Sequence, residues 1–162
     1  MSVVRPEQIQ PHLQRILGEE AHLLAELQGL LERETTILQG DDVAAIQNIG
    51  SERHRCVERL TQLDAERADS CRLLSFGRGA AAVEKLFGWC DGSGALQRQW
   101  LSNLQLARRC KELNDRNGAI VTVKLGHIQQ LLGKLRGTPA PAVYGPKAAR
   151  FGALAPRDLG RA

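Results

Sequence analysis

Glu19 and His22 stand three residues apart, the Glu-x-x-His spacing with which helical bundles hold paired metal ions. Such a centre needs two copies of the pair and two further glutamates facing one another, and the sequence offers one copy. Both residues also fall outside the rows set by Leu13, Ile16 and Leu23, so they read as solvated surface groups. His12, His54 and His127 have no metal-ligand spacing among themselves. Cys56, Cys71, Cys90 and Cys110 are scattered without a C-x-x-C, which makes them reduced, mostly buried small side chains rather than a zinc or redox site. No nucleophile elbow surrounds any Ser or Cys. Gly77-Arg-Gly79 lacks the spaced Gly-Lys-Ser/Thr and the preceding strand of a phosphate loop, so its glycines serve backbone bending. The expectation is a binding protein with no catalytic centre, metal or cofactor.

Two other constellations are better placed to bind. Lys111, Asn114 and Gly118 are consecutive positions of an otherwise apolar helical row, and three polar or missing side chains there cost stability. A buried Asn can set register or pairing; the other reading is a groove where a partner segment docks. Asn114 and Asn117 lie almost one turn apart, so both can offer amides to one neighbour. The large apolar groups after Gly137 include Val143, Tyr144, Phe151 and Leu154, and Tyr144 is the sole tyrosine. Set between Pro141 and Pro146, it reads as the anchor of a short recognition motif, with Lys147 and Arg150 adding electrostatic attraction.

The elements that must carry these residues are helical. From about Pro6 to Gln39 the apolar residues Ile9, Leu13, Ile16, Leu23, Leu27, Leu30 and Ile37 follow three-and-four spacing, and Leu17, Leu24, Leu31 and Leu38 form a second row beside them. A stripe that wide needs more than one partner helix. Gly40 in a left-handed conformation would close this helix, and Asp41 or Asp42 would cap the next. The second helix, about Val43 to Leu74, carries Arg53 and Arg67 in its seam, which predicts imperfect or partly exposed packing. A short helix at 80–89 interrupts the glycine-rich connection from Ser75 to Gly94. The last helix, about Ser93 to Arg136, carries Trp100, Leu104, Ala107, Val121, Leu125, Ile128, Leu132 and Leu135 in heptad register. Asn117-Gly118 by itself could mark a hairpin turn, but helical spacing on both sides favours one continuous helix. The predicted fold is all-α: a long antiparallel helical hairpin, a third long helix and a short connecting helix over residues 1–137, with a disordered Pro/Gly/Ala-rich basic tail at 138–162.

The 162 residues suit one domain, and 43% hydrophobic content suffices for a core. No apolar run approaches the length of a membrane span, and the N-terminus lacks the pattern of a signal peptide, so a cytoplasmic protein without membrane insertion is expected. The net charge is +4. Lys147, Arg150, Arg157 and Arg161 against Asp158 place +3 of it after Gly137, which leaves the body too near neutral for a nucleic-acid face.

Taken in order, these elements resemble the FlgN family of flagellar type III export chaperones. The resemblance rests on the long amphipathic first helix, Gln39-Gly-Asp-Asp42, the phrase Glu112-Leu-Asn-Asp-Arg-Asn-Gly-Ala-Ile120 and Val143-Tyr-Gly-Pro146. It implies a cytosolic chaperone that binds the hook-associated proteins FlgK and FlgL, prevents their premature assembly and delivers them for export. It further implies that Tyr144, with Val143, Gly145, Pro146 and Lys147, contacts the export gate protein FlhA. The expected cargo surface is Lys111, Asn114, Asn117, Gly118, Val121, Leu125, Ile128 and Leu132, on a monomer or weak homo-oligomer. The alternative is a self-associating coiled-coil structural protein without an export role.

Overall fold

The computed structural model describes residues 3–137. Among them are four helices and no strand: α1 (Pro6–Ile37), α2 (Val43–Leu73), α3 (Ala80–Cys90) and α4 (Ala95–Arg136). The all-α class and the order of elements agree with the sequence, and the boundaries differ from the expected ones by one or two residues. α4 runs unbroken through Asn117-Gly118.

Local signals explain most helix ends. Pro6 opens α1, where its missing N–H would have had no helical partner. Asp42 caps α2, its carboxylate accepting a hydrogen bond from the Ala45 amide at 3.0 Å. Gly94, with φ of +77°, turns the chain into α4, and Gly137, with φ of +66°, closes it. Gly40 departs from expectation, because it is not among the positive-φ glycines. α1 instead ends by tightening into three-residue turns, with the Gln39 and Gly40 amides donating to the Thr36 and Ile37 carbonyls.

α1 is the shared element. α2 runs antiparallel to it, since Arg59 of α2 meets Glu19 and Arg53 meets Glu34. α4 runs parallel to it, since Asn103 meets Leu17 and Asn117 meets Leu31. A parallel third helix requires the chain to cross the base of the bundle between α2 and α4. α3 makes that crossing and buries Leu86 and Phe87 against Leu13, Leu17, Leu63 and Trp100. A second apolar cluster higher up joins Leu24, Leu27 and Leu31 to Ile49, Cys56, Cys110 and Leu113. Both rows of the wide α1 stripe are therefore covered, one partner helix to each side.

Arg67 corrects the expectation of exposed packing on α2. It is 1% exposed, its guanidinium donates to Glu20 of α1 at 2.6 Å and to Asp64, and it lies over the Trp100 ring of α4 at 4.2 Å. The Trp100 ring also meets Phe87 edge-on at 5.9 Å. A cation deep in the seam is accommodated because two carboxylates neutralise it and an aromatic face covers it. Arg53 likewise turns inward, donating to Glu34 at 3.1 Å and to Asn114 at 3.3 Å.

Burial pushes the Glu20 carboxyl above its ordinary value despite Arg67. Arg67→Met, which leaves Glu20 buried without its partner, should lower the unfolding free energy by about 3–5 kcal/mol. Urea titration followed by far-ultraviolet circular dichroism checks this, and pairing Arg67→Met with Glu20→Leu should restore most of the loss. The single variant's deficit should also shrink as pH falls towards 4.5, because protonation then removes the unpaired charge in the folded protein.

Candidate functional site

Three α4 side chains spaced seven residues apart reach the α1 backbone. Asn103 Nδ2 donates to the Leu17 carbonyl at 3.0 Å, Cys110 Sγ to the Leu24 carbonyl at 3.5 Å and Asn117 Nδ2 to the Leu31 carbonyl at 2.9 Å. Each bond spans 86 residues, so the two helices keep one parallel register over two heptads. The next heptad position, Lys124, donates through Nζ to the Gly40 carbonyl at 2.6 Å, just past the end of α1. A cation there complements the partial negative charge of the helix C-terminus.

These contacts divide the residues expected to bind a partner. Asn117 is fully buried, and Thr35 Oγ1 donates to its Oδ1 at 2.6 Å. Asn114 is buried beside Arg53 and Glu34. Both amides therefore serve contacts inside the bundle. Lys111 is half-buried and pairs with Asp115 at 3.1 Å on the surface of α4, and Gly118 is also half-buried. The polar row facing α1 is offset by one residue from the one inferred from Trp100 and Leu104, and it contains Asn103 and Cys110. Those two could have been found by noticing that Asn103, Cys110 and Asn117 share the seven-residue period of Leu17, Leu24 and Leu31 on α1.

The apolar members of the set lie elsewhere. At an offset of 86, Ile37 at the end of α1 corresponds to Val123, so α4 continues from Lys124 to Arg136 with no α1 beside it. At about 1.5 Å per residue, this overhang is roughly 20 Å long. Ile128 is 52% exposed, Leu131 60%, Leu132 43% and Leu135 83%. Val121 is also exposed and Leu125 is half-buried. The structure thus brings Val121, Leu125, Ile128 and Leu132 onto one projecting helix and adds Leu131 and Leu135 to them. Among the described residues no helix covers this heptad-spaced apolar row.

The expected gate-binding residues Val143, Tyr144, Gly145, Pro146 and Lys147 lie outside the described residues. Among the described residues, no group of three or more His, Cys, Asp and Glu could hold a metal ion. No helix there is long and apolar enough to cross a membrane. Glu19 is engaged by Arg59 at 2.6 Å and by Arg15 at 3.3 Å, and the Arg59 hydrogen bonds hold its carboxyl below the ordinary value. All four cysteines are free and buried, and burial pushes the Cys56, Cys90 and Cys110 thiols up to about 11, which keeps them protonated at neutral pH.

A family model described as FlgN protein matches residues 10–150. No curated protein and no solved structure matches the chain.

The division between inward and outward residues has a thermodynamic signature. Asn117→Ala should lower the unfolding free energy by about 1–3 kcal/mol, because it removes buried hydrogen bonds to Leu31 and Thr35 and leaves a small void. Leu132→Ala should change it by less than about 0.5 kcal/mol. Urea midpoints of the two variants check the contrast.

Proposed function

Because the chain belongs to the FlgN family of flagellar export chaperones, we propose that it holds the hook-associated proteins FlgK and FlgL through the overhanging end of α4 and carries them to the export gate. The observation that supports this reading is the exposure of Ile128, Leu131, Leu132 and Leu135 in the seam that α1 vacates at Ile37. An unassembled filament-junction protein has amphipathic helical ends whose apolar faces have no mate until assembly. The α4 overhang offers such a helix a temporary partner with matching spacing.

Reversibility follows from size. An overhang of about three to four turns covers one side of one cargo helix, which limits the buried area and keeps the contact reversible. The rest of the bundle acts as a rigid handle. Its internal polar contacts hold α1, α2 and α4 together, so cargo binding need not rebuild the core. The segment 138–162 completes the proposed division of labour. Val143, Tyr144, Gly145, Pro146 and Lys147 would contact the gate protein FlhA while the bundle keeps its cargo, which raises the local cargo concentration at the gate.

Ile128→Asp with Leu132→Asp should reduce capture of FlgK and FlgL in co-purification by at least about tenfold, since a buried uncompensated charge opposes docking. The thermal midpoint should stay unchanged. Undiminished capture by a folded variant would place cargo elsewhere. Tyr144→Ala should keep cargo capture intact and weaken binding to the soluble part of FlhA, measured by calorimetry. Equal affinity for FlhA would remove the tail from the gate contact.

A further inference from the structure

The position of the overhang redraws the charge map of the chain. From Arg116 onward there are eight Lys and Arg against the single Asp158, a net +7, so residues 1–115 carry −3. A division at Gly137 conceals this asymmetry, because it assigns the cationic end of α4 to the body. Between Asp115 and Gly137 the helix holds Arg116, Lys124, Lys134 and Arg136 and no carboxylate. At about 100° per residue, the row Val121, Leu125, Ile128, Leu131, Leu132 and Leu135 occupies an arc of roughly 120°. Arg136 lies about 20° beyond one edge of that arc and Lys134 about 60° beyond the other, while Lys124, which falls inside it, is held by the Gly40 carbonyl and by Asp41.

Register control is missing from the same stretch. Where α4 meets α1, the donor series Asn103, Cys110, Asn117 and Lys124 fixes one alignment. The next member of the series is Leu131, which is apolar and exposed. The donor series that fixes the α1 alignment therefore does not continue along the overhang. Discrimination falls to the charges beside the seam.

Resting on the reading that the overhang is the docking face, we propose that it selects its occupant by charge: an amphipathic protein helix with a leucine-type seam flanked by Glu or Asp. The geometry sets aside other occupants. A second copy would bring one carboxylate-free cationic stretch against another, and the chain's own segment after Gly137 carries +3. A membrane-binding helix presents its apolar face along its whole length, whereas this row continues the seam that α1 occupies. Acidic flanks on a helix satisfy both the spacing and the sign, in the manner of the charged positions beside a coiled-coil seam.

The test uses the full chain and three probes: a leucine-heptad helical peptide flanked by Glu, the same peptide flanked by Lys, and phosphatidylglycerol vesicles. The Glu-flanked peptide should bind about tenfold more tightly than the Lys-flanked one at low salt, the size expected when two exposed attractive pairs become repulsive. The preference should narrow in 0.5 M salt, a concentration at which such pairs are screened over about 4 Å. Lys134→Glu with Arg136→Glu should abolish or reverse it without changing the thermal midpoint. Equal affinity for both peptides, no binding of either, or a preference that ignores the double variant overturns charge selection. Vesicles that compete out the Glu-flanked peptide, or a stable dimer in sedimentation, also overturn it. The docking reading fails separately, when Ile128→Asp with Leu132→Asp leaves capture of hook-associated proteins unchanged.

Discussion

The alignment of α1 with α4 governs everything that is exposed at the top of the molecule. Hydrogen bonds from Asn103, Cys110 and Asn117 to the Leu17, Leu24 and Leu31 carbonyls repeat every seven residues at a constant separation. Trp100 anchors one end of this ladder in the base formed by Phe87 and Arg67, and Lys124 anchors the other on the Gly40 carbonyl and the Asp41 carboxylate just past α1. A slip of one heptad would move Trp100 out of its aromatic pocket and Lys124 away from Gly40. The ladder therefore decides how far α4 projects past α1, and with it which leucines lie beyond the reach of α1.

α1 can serve two partner helices because its apolar stripe is two rows wide. The row containing Leu13, Leu27 and Leu30 and the row Leu17, Leu24 and Leu31 are both buried. Between the apolar layers sit ionic ones, Glu20 with Arg67 and Glu34 with Arg53 and Asn114. Glu20 Oε1 and Glu34 Oε2 are buried without a hydrogen-bond partner among the described residues. Burial raises the pKa of both carboxyls. Such layers contribute less stability than leucines would, and they act by penalising alternative pairings that would strand a charge. A bundle built this way keeps its own helices matched and leaves the exposed end of α4 outside that internal matching.

Much of this was legible in the sequence, for identifiable reasons. Three-and-four spacing over long stretches specified the helices, and the width of the α1 stripe required more than one neighbour. The continuity of α4 through Asn117-Gly118 was also readable, because the periodicity on both sides outweighed a two-residue turn signal. The direction of α4 relative to α1 was not, since it depends on α3 crossing the base and no local pattern encodes that. Arg67 and Arg53 looked like flaws because their partners, Glu20 and Glu34, lie on another helix. Lys111, Asn114 and Gly118 appeared as one polar row in a register drawn through Trp100. The actual register, one residue away, buries Asn114 and Asn117 and leaves Lys111 at the surface. The apolar row Val121, Leu125, Ile128 and Leu132 was readable from its heptad spacing; that most of it lies beyond α1 required the helix ends.

The central claim is that the α1–α4 register stays intact while the projecting turns of α4 receive cargo. Hydrogen exchange of the full chain, with and without a hook-associated protein, tests it most directly. The account predicts slower exchange on binding over Lys124–Arg136 and unchanged protection from Asn103 to Asn117. Faster exchange from Asn103 to Asn117, with no slowing beyond Lys124, would contradict it by showing that cargo opens the bundle and takes the place of α1.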